Sequence, residues 1–176
     1  MRKLNFGCGS IQPEDWDNVD IDTEFFRGKD TDNIFGSTSN MEDNTYDIIV
    51  AHAVVQQFEW HNIVNELKEL YRILKPGGII RISLPDIERG FEEYKKGNIK
   101  FFPNGEEDIN DRFSAWLTWY STSKSLLTKG AIKLKLNKAG FQLIRRVDFK
   151  KTTSICPESV ELDTREHEFY FIEATK

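Results

Sequence analysis

The first residues in this chain whose types and spacing suit chemistry are two glycines one residue apart, at the end of the short apolar run Leu4-Asn5-Phe6-Gly7-Cys8-Gly9-Ser10. Glycine admits backbone dihedrals closed to other residues and lets a ligand approach where a Cβ would block it. Successive N–H groups in such a turn form a concavity that favours a carboxylate or phosphate. A second short run, Asn18-Val19-Asp20-Ile21, carries Asp20 near its end. A carboxylate at the C-terminal end of a strand suits both hydroxyls of a ribose, and Asp22 is the alternative on the same run. Gly36-Ser37-Thr38-Ser39-Asn40 offers small polar groups of the kind that bond an adenine amino group, although these are also ordinary turn formers. His52 and Asp86 each close an apolar run and are candidate general bases. For a hydroxyl nucleophile a base contributes roughly 10²–10⁴-fold in rate. Their plainer roles are a histidine satisfied by loop carbonyls and a helix N-cap. Tyr120 and Lys124 are further candidates from a later stretch. Cys8 and Cys156 are far apart and fit no metal spacing, so they read as reduced thiols, and no Asp/His cluster suggests a metal.

Positioning these residues requires strands that end along one edge. Lys3–Phe6 reads as the first strand, followed by a loop or single helical turn over Ile11–Asp17, which contains Pro13 and Trp16 and is too short for a full helix. Ile34-Phe35 reads as a short third strand. Tyr46–His52 contains the unbroken run Ile48-Ile49-Val50-Ala51, the mark of a strand buried on both faces. Asn62–Leu74 is the clearest helix, with Ile63, Leu67, Leu70, Tyr71 and Leu74 on one stripe and Lys75-Pro76-Gly77-Gly78 as its stop. Ile79–Leu84 is the next strand, and Ile87–Lys96 a helix with Phe91 and Tyr94 turned inward. Residues 97–124 form an irregular, aromatic-rich excursion, read either as a substrate lid or as core. Leu126–Ala139 is read as a helix stopped by Gly140, and Gln142–Phe149 and Glu168–Thr175 as a final antiparallel pair.

At 176 residues, 39% hydrophobic and 30% charged, the chain reads as one soluble globular domain, 1–176. No apolar run reaches the ~18 residues that cross a bilayer, and no secretory h-region precedes Gly7, so a cytoplasmic protein without a membrane partner is expected. The net charge of −5 argues against nucleic acid as a partner. Residues 1–60 carry 4 basic and 12 acidic side chains, whereas 120–151 carry 9 basic and one acidic. The late basic stretch either steers an anionic substrate or is a solvated face.

Strands alternating with helices imply an α/β sheet whose strand ends share one binding edge. Taken together, several stretches resemble a class I (Rossmann-like) S-adenosylmethionine-dependent methyltransferase. These are Leu4–Ser10, Asn18-Val19-Asp20-Ile21-Asp22, Asp43-Asn44-Thr45-Tyr46-Asp47-Ile48-Ile49-Val50, Leu70–Gly78 and Ala139-Gly140-Phe141. The short gap between the glycine turn and the second strand resembles a compact subgroup linked to sugar or polysaccharide modification. The resemblance implies a seven-stranded, mostly parallel sheet with helices on both faces and the last strand inserted antiparallel. It implies S-adenosylmethionine as cofactor, S-adenosylhomocysteine as product, and a small-molecule or sugar-type acceptor, possessing an O or N nucleophile, as partner. The cofactor would then be lined by Phe6, Gly7, Cys8, Gly9, Asp20, Ile21, Ser37, Ser39, Asn40, Met41, Ala51 and His52. Two departures stand out: Ser10-Ile11 replaces the third glycine of the usual motif, and Val54-Val55-Gln56-Gln57-Phe58 replaces the usual acidic residue and histidine. Two other readings compete with an active enzyme: a cofactor-binding subunit without turnover, and a nicotinamide-dependent oxidoreductase. The oxidoreductase requires a helix opened by the glycine turn and an acid ~20 residues on, whereas Asp20 comes too soon.

Overall fold

The computed structural model describes residues 1–20 and 38–176. Six strands form one sheet: β1 (Lys3–Phe6), β2 (Asp17–Val19), β3 (Tyr46–His52), β4 (Leu74–Pro85), β5 (Gln142–Val147) and β6 (Phe169–Thr175). Their spatial order is β2-β1-β3-β4-β6-β5. The first four run parallel, and β6 lies antiparallel between β4 and β5. The expected seven-stranded count is therefore corrected to six among the described residues. The expected third strand, Ile34-Phe35, lies outside them.

Side chains alternate across the sheet with the two-residue period of a strand, and this divides the core. Leu4, Phe6, Ile49, Ala51, Ile80, Ile82, Leu84, Tyr170, Ile172 and Ala174 face helices α1 (Ile63–Ile73) and α4 (Lys129–Ala139). α1 buries Ile63, Leu67, Leu70 and Ile73, the stripe read from sequence, and gives way at Leu74 to extended backbone. α4 begins at Thr128, whose hydroxyl accepts from Ala131 N–H, and ends at Gly140, where φ is +107°. Only glycine adopts that conformation without strain. Phe141 beyond it meets Tyr71 of α1 edge-on at 5.1 Å.

Part of the opposite face is covered by irregular chain. Trp16, Ile48, Val50, Cys156 and Leu162 cluster there, so the connection from β5 to β6, with its 3₁₀ turn Pro157–Leu162, fills the space left by the missing helix after the glycine turn. Beside it, Phe101, Phe102, Phe113, Trp116 and Trp119 pack on Phe169 and Phe171 of β6. This second core is carried by α2 (Ile87–Lys95) and α3 (Ile109–Leu117), so the aromatics of the 97–124 excursion lie inside a packed core. Gly90 is the inward residue of α2: a Cβ there would lie 2.3 Å from the fully buried Trp116 ring. That registration turns Phe91 outward, 53% exposed, contrary to the inward placement expected from sequence. Tyr94 does pack, stacked on Phe113 at 4.3 Å.

Candidate functional site

The parallel strands β1–β4 end along one edge, where the glycine turn, Asp20, His52 and Asp86 are all found. Gly7 and Gly9 adopt φ of +72° and +53°. The N–H groups of Gly7 and Cys8 both donate to Val19 O, at 2.7 and 3.1 Å. Gly9 N–H donates to Asp20 Oδ2 at 2.8 Å. The turn and the carboxylate are thus in direct contact. All three donors are used within the chain, so what the turn offers a ligand is close approach of its backbone rather than a ready anion nest. A Cβ on Gly7 would lie 2.4 Å from Val54 Cγ2, so packing of the stretch after β3 also dictates glycine here.

Side-chain amides hold the short loop that follows. Asn5 Nδ2 donates to Ile11 O at 2.7 Å and to Asn18 Oδ1 at 3.0 Å. Asn18 Nδ2 reaches Pro13 O and Trp16 O, both at 3.0 Å, and Gln12 Nε2 reaches Gly9 O at 2.8 Å. These roles escaped the sequence reading; the available signal was a polar Asn5 inside the otherwise apolar run Leu4-Asn5-Phe6. Of the expected lining residues, Phe6, Cys8 and Ala51 have buried side chains and Asn40 is exposed. Burial pushes the Cys8 thiol up to about 11, and that of Cys156 likewise, so both are protonated at neutral pH. Ile21, Ser37 and the side chain of Ser39 lie outside the described residues.

Arg72 of α1 is a second omission. Its Nη1 donates to Met41 O at 2.8 Å and to Asp43 Oδ1 at 2.6 Å, and its Nη2 donates to Thr38 O at 3.0 Å. One guanidinium thus holds the 3₁₀ turn Thr38–Asn40 and Met41 in place. Its five fixed donors suit that fan of oxygens.

His52 ends β3 with both ring nitrogens engaged: Nδ1 with Ser83 Oγ on β4, and Nε2 with Thr164 Oγ1 at 2.7 Å. Its ring stacks on Phe169 with centroids 5.4 Å apart. Burial lowers its pKa to about 4, against the opposing pull of Asp163, with Arg165, Arg81 and Lys150 adding to the depression. It is neutral at pH 7, and offering a lone pair to a substrate means giving up one of these contacts. Asp86 is the N-cap of α2, accepting from Arg89 N–H at 3.2 Å, and pairs with Lys129 at the start of α4. Lys129 also reaches Glu88 at 3.0 Å.

On the same face, buried Arg81 forks onto Asp163 at 2.9 and 2.6 Å and reaches Glu173 at 2.7 Å. Burial works against the Glu173 carboxylate, but the Thr152 and Thr153 hydroxyls, the Thr153 N–H and Arg81 together hold its pKa below the ordinary value. This network fastens the covering connection to β4 and β6, next to Thr164 and hence next to His52. Among the described residues, no group of three His, Cys, Asp or Glu side chains is placed to hold a metal, and no helix is long and apolar enough to cross a membrane.

Residues 18–82 match a protein-family model described as a methyltransferase domain. No curated protein matches the chain. Among solved structures, a SAM-dependent methyltransferase from Thermotoga maritima, described as a possible histamine N-methyltransferase, is 21% identical with a TM-score of 0.62, over 99% of this chain and 82% of that one. A SAM-dependent methyltransferase from Archaeoglobus fulgidus is 15% identical with a TM-score of 0.61, over 100% of this chain and 86% of that one. Phosphoethanolamine N-methyltransferase 2 of Haemonchus contortus, solved with S-adenosyl-L-methionine, is 15% identical with a TM-score of 0.58, over 100% of this chain and 48% of that one. Among the described residues the chain thus shares the fold of SAM-dependent methyltransferases, and residues 18–82 match a methyltransferase-domain model.

Proposed function

We propose that the chain binds S-adenosylmethionine at the edge formed by Gly7, Gly9 and Asp20 and transfers its methyl group to a small-molecule acceptor. The observation that carries this reading is the contact of the glycine turn with Asp20, at the carboxyl edge of a parallel sheet into which β6 inserts antiparallel. In open α/β sheets ligands bind at that edge. Gly7 and Gly9 admit the methionine moiety, Asp20 accepts from the ribose hydroxyls, and the turn around Asn40 and Met41, braced by Arg72, borders the adenine. The sulfonium is already activated. An acceptor lone pair attacks the methyl carbon, the C–S bond breaks toward sulfur, and the acceptor's proton passes to solvent water. Alignment is then the protein's main task, worth up to ~7–11 kcal/mol when ideal. For the acceptor we favour an uncharged hydroxyl or amine, of which a sugar is one kind. The sugar reading rests on the short gap between Gly9 and β2.

The engagement of both His52 nitrogens and of Asp86 favours one second reading, a cofactor-binding subunit without turnover. Thermal shifts with S-adenosylhomocysteine and with NAD, followed by transfer of labelled methyl groups into a pool of sugars and amines, decide these points. Stabilisation by S-adenosylhomocysteine alone together with labelled product supports the enzyme. Stabilisation without product supports the subunit, and a shift with NAD alone overturns both.

A further inference from the structure

Gln56 lies in the 3₁₀ turn that follows β3 and is 1% exposed. Its Nε2 donates to Ala53 O at 2.8 Å, which fixes the amide orientation, while its Oε1 is buried and has no hydrogen-bond partner among the described residues. An unpartnered buried oxygen costs about 1–3 kcal/mol and is uncommon in folded proteins. Gln56 lines a cavity of about 10 Å³ with Leu84, Pro85, Ile87, Leu117 and Ser123. That volume takes one water-sized group. The far wall is fixed, because Lys124 and Ser125 N–H both donate to Gln56 O at 2.9 Å and Ser125 Oγ donates to Phe58 O at 2.8 Å.

The cavity belongs to the ligand-binding edge. Leu84 and Pro85 end β4, and Val54, two residues before Gln56, touches Gly7. Two residues of chain span at most ~7 Å. We propose that this cavity is the inner end of the acceptor site, where Gln56 Oε1 accepts a hydrogen bond from an O–H or N–H of the acceptor. The walls are mostly apolar and none of the described lining residues is charged, so the cavity selects an uncharged donor on a short carbon chain. This assignment rests on the methyltransferase reading, and it gives the Val54–Phe58 stretch a binding role in place of the absent acid and histidine.

The test uses the full chain, ¹⁵N-labelled and incubated with S-adenosylhomocysteine, titrated with 1-butanol and with its isomer diethyl ether, which has no donor. The Gln56 side-chain amide and the Ser125 N–H should shift with butanol and not with ether. Gln56→Leu should weaken butanol binding, followed at Ser125, by about tenfold, equivalent to ~1.4 kcal/mol. Its melting temperature should hold, because Ala53 O keeps Gln57 Nε2 at 2.9 Å and the orphan oxygen is gone. If Gln56→Leu does not fold, Gln56→Met serves for the same comparison. Equal shifts with ether, butanol binding unchanged in the variant, or no shift with butanol would each overturn the proposal. Butanol shifts at Gln56 in a chain that fails to bind S-adenosylhomocysteine would retain the donor site and remove the methyltransferase reading, so the two failures are distinct.

Discussion

Asp20 Oδ2 receives the Gly9 N–H at 2.8 Å, so the carboxylate that we assign to the ribose also braces the turn. Replacing it separates these roles. Asp20→Ala should remove most of the thermal stabilisation given by S-adenosylhomocysteine, while the unliganded fold loses about 1–3 kcal/mol for the N–H left without its partner. An undiminished ligand response would show that another residue holds the ribose. His52 makes a prediction about pH. Its folded pKa of about 4 lies below its ordinary 6.5. Between these values the unfolded chain takes up a proton that the folded chain refuses, so stability is full above pH 6.5 and falls as the pH drops toward 4. The loss is of order 3 kcal/mol from this residue. Urea unfolding at pH 7 and pH 4.5 should show a steeper decline for the wild type than for His52→Gln. Parallel declines would mean that His52 is not buried neutral.

Among the elements, those specified by local pattern were legible in the sequence. The Ile48–Ala51 run marks β3, the Ile63-Leu67-Leu70 stripe marks α1, and Gly140 marks the end of α4. What covers the far face of the sheet was not legible, because it depends on partners far apart in sequence. Arg81 meets Asp163 and Glu173, 82 and 92 residues away. The one local hint is a charge inside the apolar run Ile79-Ile80-Arg81-Ile82. Phe91 misled for a related reason: only the Trp116 ring against Gly90 sets which side of α2 faces inward. Arg81→Met should destabilise by about 3–5 kcal/mol in urea unfolding, because it strands two buried carboxylates. A loss under about 1 kcal/mol would mean that water already reaches them.

Over the whole molecule, the sheet gathers residues scattered through the chain at one edge. Gly9 and Asp20 come from its first turns, His52 and Asp86 from its centre, and β6 returns Phe169 to stack on His52. The connection from β5 to β6 lets the molecule do without a helix after the glycine turn: Cys156 and Leu162 pack against Trp16, and Lys3 Nζ reaches Glu158 at 3.2 Å. A sequence whose first loop is too short for a helix folds this way because later chain buries the exposed face of β1 and β3. The edge is thereby left lined by the backbone of the glycine turn, the neutral His52 ring and the carboxylates of Asp20 and Asp86, the latter paired with Lys129. The most direct measurement is a crystal structure of the full chain with S-adenosylhomocysteine. The ribose should lie within hydrogen-bond distance of Asp20, the homocysteine should run along Gly7–Gly9, and its sulfur should face the stretch from Ala51 to Gln56. The nucleoside bound elsewhere, or this edge closed by protein at saturating ligand, would contradict the proposed site.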